Sequence, residues 1–247
     1  LVDENVLRII LETAEIQSDD HIVEIGAGIG VLTAELLKKA KQVTSIEVDA
    51  TLIPLVHAYL ACKLKPETCD NAHIICENAL TSSFPIDPYK IIANIPYHIT
   101  SPLLRHAFLE SETYPTSMTL LIQREVAEKI CDTQNAGLLT ILVGLFGEPS
   151  YIHTVPPDSF LPPPKVDSAI LHINCFDTPH ADTKTIEEVF RLTKIAFSQK
   201  RKMLRNTIGE LHGGMELLAE AHIEPTRRPQ TVRIEEWIRL AHMTENA

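Results

Sequence analysis

Asn94-Ile95-Pro96-Tyr97 combine residue types suited to holding a flat heterocycle that carries an exocyclic amine. An asparagine amide both donates and accepts, with two lone pairs on its oxygen. Proline fixes φ and leaves a carbonyl with no competing N–H on its own residue. Tyrosine supplies a face for stacking. The tetrad follows the apolar run Ile91-Ile92-Ala93, which reads as a buried strand. In open α/β sheets, ligands bind at the carboxyl ends of the strands. Adenine and cytosine both carry the amine that such a set of groups would take.

Other segments could complete such a site. Gly26-Ala27-Gly28-Ile29-Gly30 follows an apolar strand, and glycines there let the backbone turn tightly and approach a ligand. The spacing is not that of a dinucleotide fold, and a purely structural turn remains open. Glu47 closes a second strand, where a carboxylate could accept from both hydroxyls of a ribose, or could simply be a solvated strand end. Taken together, the glycine loop and Glu47 point to an adenosine-type cofactor. Asn78 closes a third strand, placed either to read an adenine amine or to stabilise a turn. Phe160 precedes Pro162-Pro163-Pro164, which stiffen the loop into an extended form. Its ring could form the second face of a base sandwich with Tyr97, or plug the core. Lys194, Lys200, Arg201, Lys202 and Arg205 fall in one short stretch interleaved with Gln199 and Asn206. They could grip a phosphate backbone from one end of a helix, or form a solvated face.

Alternating strands and helices must position these residues. Strands are expected at His21–Ile25, Val43–Ile46, Ala72–Cys76, Ile91–Asn94 and Met118–Gln123. Helices are expected at Val6–Ala14, Leu32–Lys39, Leu52–Leu60, Pro102–Leu109, Arg124–Ile130 and Leu138–Phe146. Repeated β–α units with apolar strands predict an α/β fold with a parallel sheet covered on both faces. Tyr151–Val155 and Ser168–Ile173 are expected as a closing antiparallel hairpin. Beyond the turn at Asp177-Thr178-Pro179 the pattern is helical only, over Ile186–Phe197, Arg201–Ile208, Met215–Ala221 and Ile234–Met243. The expected organisation is therefore a first domain over 1–180 and a small all-helical domain over 181–247.

The chain of 247 residues has a formal net charge of −11, unpromising for a nucleic-acid binder. Its distribution is more informative. Residues 1–179 hold 11 Lys+Arg against 23 Asp+Glu, or −12, whereas residues 180–247 hold 11 against 10, or +1. A local basic patch can bind phosphate on an acidic protein. No apolar run reaches the length of a membrane span, and no secretory signal is visible, so a cytoplasmic protein is expected. Five cysteines without a framework pattern fit a reducing compartment. Cys62, Cys69 and Cys76 lack zinc spacing even with His73 nearby, so no metal is expected. The residues alone leave a nicotinamide-dependent oxidoreductase open, although that reading does not explain the tetrad.

Five motifs occur in order: Glu24-Ile25-Gly26-Ala27-Gly28-Ile29-Gly30, Ile46-Glu47-Val48-Asp49, the tetrad, Pro162-Pro163-Pro164-Lys165-Val166-Asp167-Ser168, and Lys200-Arg201-Lys202. Together they resemble the KsgA family of small-subunit ribosomal RNA adenine dimethyltransferases over nearly the whole chain. The related Erm methyltransferases of large-subunit RNA share the first domain, but Gln199 to Asn206 and the tail look more like KsgA. The resemblance implies a Rossmann-like methyltransferase sheet, S-adenosylmethionine as cofactor, and N6,N6-dimethylation of two adjacent adenosines near the 3′ end of small-subunit rRNA. It also implies a role in ribosome biogenesis, with the small subunit as partner, and a monomeric enzyme is expected. An assembly factor with little catalysis is the remaining alternative. By the same resemblance, Gly26 and Gly28 line the methionine part of the cofactor, Glu47 holds its ribose, and Asn78 and Ala79 meet its adenine. Asn94 and the Pro96 carbonyl hold the target amine, and Tyr97 and Phe160 sandwich the base. Leu1 matches the last residue of an N-terminal Gly-Gln-Asn-Phe-Leu motif that closes over the cofactor, and the opening at Leu1 leaves room for an upstream segment. Three internal positions depart from the family pattern: Asn78 replaces the usual Asp, and Ala136 and Leu138 flank Gly137 where Tyr and Arg are common.

Overall fold

The computed structural model describes residues 1–199 and 201–245. Contacts divide the chain into two compact units, Leu1–Ala127 with Pro149–Cys175, and Glu128–Glu148 with Phe176–Ala247. The second unit thus takes in an excursion at 128–148 that lies ahead of the boundary near 180.

The strands are β1 (His21–Ile25), β2 (Gln42–Glu47), β3 (Ala72–Cys76), β4 (Lys90–Asn94), β5 (Ser117–Gln123), β6 (Gly147–Val155) and β7 (Ser168–Cys175). They form one sheet in the order β3-β2-β1-β4-β5-β7-β6. β1 to β5 pair in parallel, with Val23 opposite both Thr44 and Ile91, and Ala93 opposite Leu120. The central strands have no solvated face: Ile22, Val23, Ile91, Ile92 and the run from Met118 to Ile122 are all buried. Their unbroken apolar runs reflect a parallel sheet covered on both sides. β7 runs antiparallel to β5, with Leu120 opposite Leu171 and Gln123 opposite Ser168. It lies between β5 and β6.

In the first unit the helices are α1 (Glu4–Thr13), α2 (Val31–Leu37), α3 (Ile53–Lys63), the single turn α4 (Pro66–Cys69) and α5 (Thr100–Arg105). α5 runs on into a π-helical turn at His106–Glu110. α1 is amphipathic, burying Val6 and Ile10 while Arg8 and Glu12 pair on its exposed side. Each fully buried Leu or Ile contributes about 1.5–3 kcal/mol. α6 (Arg124–Cys131) follows β5 directly.

The second unit holds α7 (Leu138–Phe146), α8 (Thr183–Phe197), α9 (Gly214–Glu220) and α10 (Ile234–Glu245). Trp237 of α10 is fully buried, as are Leu192 of α8 and Val143 of α7. Gly144 lets α10 approach α7 closely, since a Cβ there would come within 2.3 Å of Ile234 Cδ1.

One expected element is absent. Instead of a helix over Arg201–Ile208, the chain makes two 3-10 turns, Leu204–Asn206 and Ile208–Glu210. The Leu204 and Arg205 N–H groups donate across the unit to the Arg227 and Pro225 carbonyls at 2.9 Å each. Those bonds engage the donors in non-helical partners, and Thr207 at φ −138° leaves the helical region altogether.

Candidate active site

Two strand ends meet at the centre of the first unit. β1 runs into a turn in which Gly26 and Gly28 adopt φ of +79° and +58°, the left-handed region where a side chain would be strained. The Gly26 N–H donates to the Ile46 carbonyl at 2.8 Å, which ties the turn to β2. A Cβ on Gly26 would lie 3.8 Å from the Asn94 carbonyl oxygen and 3.9 Å from Pro96 Cδ, so the turn abuts the tetrad. A Cβ on Gly28 would meet nothing within 4 Å, which leaves its backbone face open to a ligand.

Glu47 closes β2 and is 6% exposed. Its Oε2 accepts from the Gly28 N–H and its Oε1 from the Asp49 N–H, each at 3.0 Å. Both oxygens keep a further lone pair, so the held carboxylate can take two hydroxyl donors. An open glycine backbone beside a fixed diol acceptor fits a ribose-bearing cofactor.

Beneath the turn, Glu24 of β1 is wholly buried. Thr33 of α2 donates to its Oε2 at 2.6 Å, Ser45 of β2 donates to the same oxygen, and Oε1 has no partner among the described residues. Burial pushes its carboxyl up to about 7, and the neighbouring Glu47 charge adds to the rise. Sequence reasoning placed Glu24 in the motif without a role. Ser45, one of the two hydroxyls that hold it, is 21 residues away in sequence.

Asn78 follows β3, and its Oδ1 accepts from the Leu80 N–H at 3.0 Å. The turn-stabilising reading is therefore realised, and the amide nitrogen and one lone pair stay available. Its backbone carbonyl accepts from the Thr81 and Ser82 N–H groups, and Ala79 beside it is buried. Ser82 is held in turn by His106 of the π turn, whose Nε2 lies 2.9 Å from the Ser82 carbonyl.

In the tetrad, the half-buried Asn94 side chain has no hydrogen bond among the described residues. Ile95 is buried, and its N–H donates to the Leu121 carbonyl. The Pro96 carbonyl accepts from the Ile99 N–H at 3.0 Å, which spends one of its two lone pairs on the turn at Tyr97–Ile99. The Tyr97 hydroxyl lies 2.6 Å from Ser168 Oγ on β7, which pins the ring from its far end. Ile95 thus works as a buried fixed point between two groups that face outward.

Phe160 ends the turn Pro157–Ser159 and is partly buried against the core cluster. Leu1 packs on the same cluster. Asp3 ties the two segments together: its Oδ1 caps α1 by accepting from the Asn5 and Val6 N–H groups, and its Oδ2 accepts from the Ser159 hydroxyl at 2.8 Å. The Val2 N–H also donates to the Ser159 carbonyl at 2.9 Å. The Asp3 carboxyl is held below its ordinary value, first by the Ser159 hydroxyl.

In the second unit, Lys194, Arg201 and Arg205 are exposed and Lys202 is half-buried. None of the four makes an ion pair among the described residues. Lys200 lies outside the described residues. The bonds from Leu204 and Arg205 set this stretch against Pro225–Arg228, which brings up the exposed Arg228, a cation that sequence reading passed over. Arg227 is structural, gripping Glu236 with both Nη atoms at 2.7 and 3.0 Å.

Comparison with known proteins agrees with this geometry. The model of the family described as ribosomal RNA adenine dimethylase matches residues 1–246. The chain is 38% identical to ribosomal RNA small subunit methyltransferase A of Dehalococcoides mccartyi, over 97% of this chain and 84% of that protein. It is 36% identical to the protein of the same name from Clostridium botulinum, over 98% and 90%. Among solved structures it resembles a dimethyladenosine transferase from Plasmodium falciparum, with a TM-score of 0.86 and 26% identity over 100% and 97% of the two chains. The 23S rRNA methyltransferase ErmE aligns with a TM-score of 0.77 and 28% identity, covering 98% of each. The fold is that of the Rossmann-like RNA methyltransferases, which implies a methyl donor of the S-adenosylmethionine type. The family model matches residues 1–246 and the relatives align over nearly the whole chain, so the chain belongs to the ribosomal RNA adenine dimethylase family.

Proposed function

We infer that this enzyme transfers methyl groups from S-adenosylmethionine to the N6 amine of two adjacent adenosines in small-subunit ribosomal RNA. The observation that carries this reading is the unengaged Asn94 amide set against the glycine turn at the end of β1. The relatives at 36–38% identity bear small-subunit names, which favours this substrate over the large-subunit RNA of the Erm enzymes.

The cofactor supplies an electrophilic methyl carbon. The chain's own groups do the rest. Gly26 and Gly28 offer open backbone to its methionine part, Glu47 accepts from its ribose hydroxyls, and Asn78 and Ala79 meet its adenine. An adenine N6 is a poor nucleophile because its lone pair is delocalised into the ring. The Asn94 Oδ1 and the remaining lone pair of the Pro96 carbonyl accept from its hydrogens and favour a more tetrahedral nitrogen. The same bonds aim that nitrogen, a positioning effect, and their dipoles stabilise the positive charge that develops on it. No base is required in the transition state, since the proton can leave afterwards. The target base must be unstacked to enter, and stacking on Tyr97 and Phe160 offsets part of that cost at about 1–3 kcal/mol per base. Two transfers require a pocket that readmits the monomethyl product.

We read the 181–247 segment as an RNA-binding helical domain, with Lys194, Lys200, Arg201, Lys202 and Arg205 on phosphates. The enzyme is proposed to act in the cytoplasm as a monomer during small-subunit assembly. No described helix is long and apolar enough to cross a membrane. The decisive experiment is labelled methyl transfer to small subunits lacking the modification, followed by nucleoside mapping. N6,N6-dimethyladenosine at two neighbouring positions is expected, and label in large-subunit RNA instead would overturn the assignment.

A further inference from the structure

The first unit holds a cavity away from the glycine turn. It has a volume of about 400 Å³ and is lined by Gln123, Arg124, Glu125, Pro157, Lys165, Val166 and Asp167. That volume lies within the range of about 300–1,000 Å³ usual for small-ligand pockets. The cavity sits at the carboxyl end of β5, the end at which open sheets bind ligands. It also neighbours the stacking platform. Gln123 pairs in register with Ser168, the residue that anchors the Tyr97 hydroxyl, and Pro157 opens the turn that ends at Phe160.

The chemistry of the wall is mixed and balanced. Arg124 is held by Asp167, through its Nη1 on Oδ2 at 2.5 Å and its N–H on the Asp167 carbonyl at 3.0 Å. The two charges of that pair cancel. Glu125 and Lys165 bring one charge of each sign and are both exposed, and Lys165 has no ion pair among the described residues. The half-buried Gln123 amide both donates and accepts. A bare anion would want net positive charge. A balanced set of donors and acceptors with one cation at the rim suits a nucleotide, its base edge in the cavity and its phosphate outside. Asparagine and glutamine amides match the donor–acceptor edge of adenine in two-bond fashion.

We propose that this cavity receives the nucleotide next to the target adenosine, with Gln123 reading its base and Lys165 holding its phosphate. This rests on the adenosine-methylating function proposed above. It gives the enzyme a way to recognise an adenosine by its neighbour, which two adjacent targets require. While one base occupies the tetrad, the other has a place of its own.

The test crosses protein and substrate changes in methyl-transfer kinetics with small subunits carrying either intact RNA or an abasic residue beside the target. The unaltered enzyme is expected to lose roughly tenfold in kcat/KM on the abasic substrate. Gln123→Ala should show that loss already on intact RNA, and no further loss on the abasic one. Lys165→Ala should raise KM for RNA, leave kcat unchanged and reduce the salt slope by about one. Calorimetric binding of S-adenosylhomocysteine should be the same in all three proteins. Independent, multiplying penalties from Gln123→Ala and the abasic site would overturn the proposal, as would an unchanged Gln123→Ala enzyme. An unaltered enzyme with no transfer to intact RNA would instead refute the function on which the proposal rests.

Discussion

Glu24 allows a quantitative prediction about stability. The carboxyl is fully buried in β1 and takes two hydroxyl donors on one oxygen, while the other has no partner among the described residues. Burial raises it from an ordinary 4.5 to about 7. In the unfolded chain it titrates normally, so between these values the folded state holds a proton that the unfolded state has lost. Stability is therefore greatest below pH 4.5 and falls as pH rises towards 7, then levels off. At about 1.4 kcal/mol per pH unit the full loss is about 3 kcal/mol, most of which falls between pH 5 and pH 8. Glu24→Gln keeps the size and polar character of the side chain but cannot ionise. Urea unfolding of parent and variant at both pH values isolates the effect, because other titrating groups cancel in the difference. The variant should gain on the parent by about 2–3 kcal/mol from pH 5 to pH 8. Parallel pH profiles would refute the claim that Glu24 is forced to share its proton with the folded state.

Other expectations follow from the site. Asn94→Ala should nearly abolish methyl transfer while calorimetric binding of S-adenosylhomocysteine persists, and undiminished turnover would remove Asn94 from the reaction. Tyr97→Phe loses only the anchor on Ser168, at about 0.5–1.5 kcal/mol of stability, whereas Tyr97→Ala also loses stacking and should raise KM for RNA by up to about 100-fold. Equal effects of the two changes would show that the ring does not stack. Arg201→Ala with Lys202→Ala should flatten the salt dependence of RNA binding by about two in slope, and an unaltered slope would take the stretch out of the interface. Asp3→Ala removes the cap of α1 and the Ser159 bond together. It should lower stability through the lost cap and weaken RNA binding more than Asp3→Asn, compared by melting and by titration.

The sheet was legible because its strands are short apolar runs ended by turn residues, and Ala72–Cys76 appears with the expected bounds. The glycine turn and Glu47 were legible because both ends of their contact lie at strand termini that parallel pairing brings level. The failure at Arg201–Ile208 has a different origin. Helical spacing was present there, but the Leu204 and Arg205 donors found partners at 225–227, beyond the reach of any local pattern. The same distance hid the fixing of the site. Ser168 anchors Tyr97 from 71 residues away, and Ser159 meets Asp3 from 156 away. Asn78 was ambiguous because the same residue type suits either reading; its oxygen holds the turn, and its exposed amide leaves the other reading open. The grouping of Glu128–Glu148 with the tail was likewise invisible, since α7 is apolar enough to belong to either unit.

The position of β7 between β5 and β6 bears on how the enzyme is made. A chain emerging from its own ribosome folds from the N-terminal end. β1 to β5 can pair as they appear, and the glycine turn and Asn94 take their places early. β6 emerges next but has no neighbour in the sheet until the later β7 arrives. Ser168, the residue that secures Tyr97, comes with that same late strand. The half of the site that would hold cofactor is therefore finished before the half that would hold RNA. On the proposed function, the stacking face of Tyr97 is then the last part of the site to be fixed, because its anchor arrives with β7.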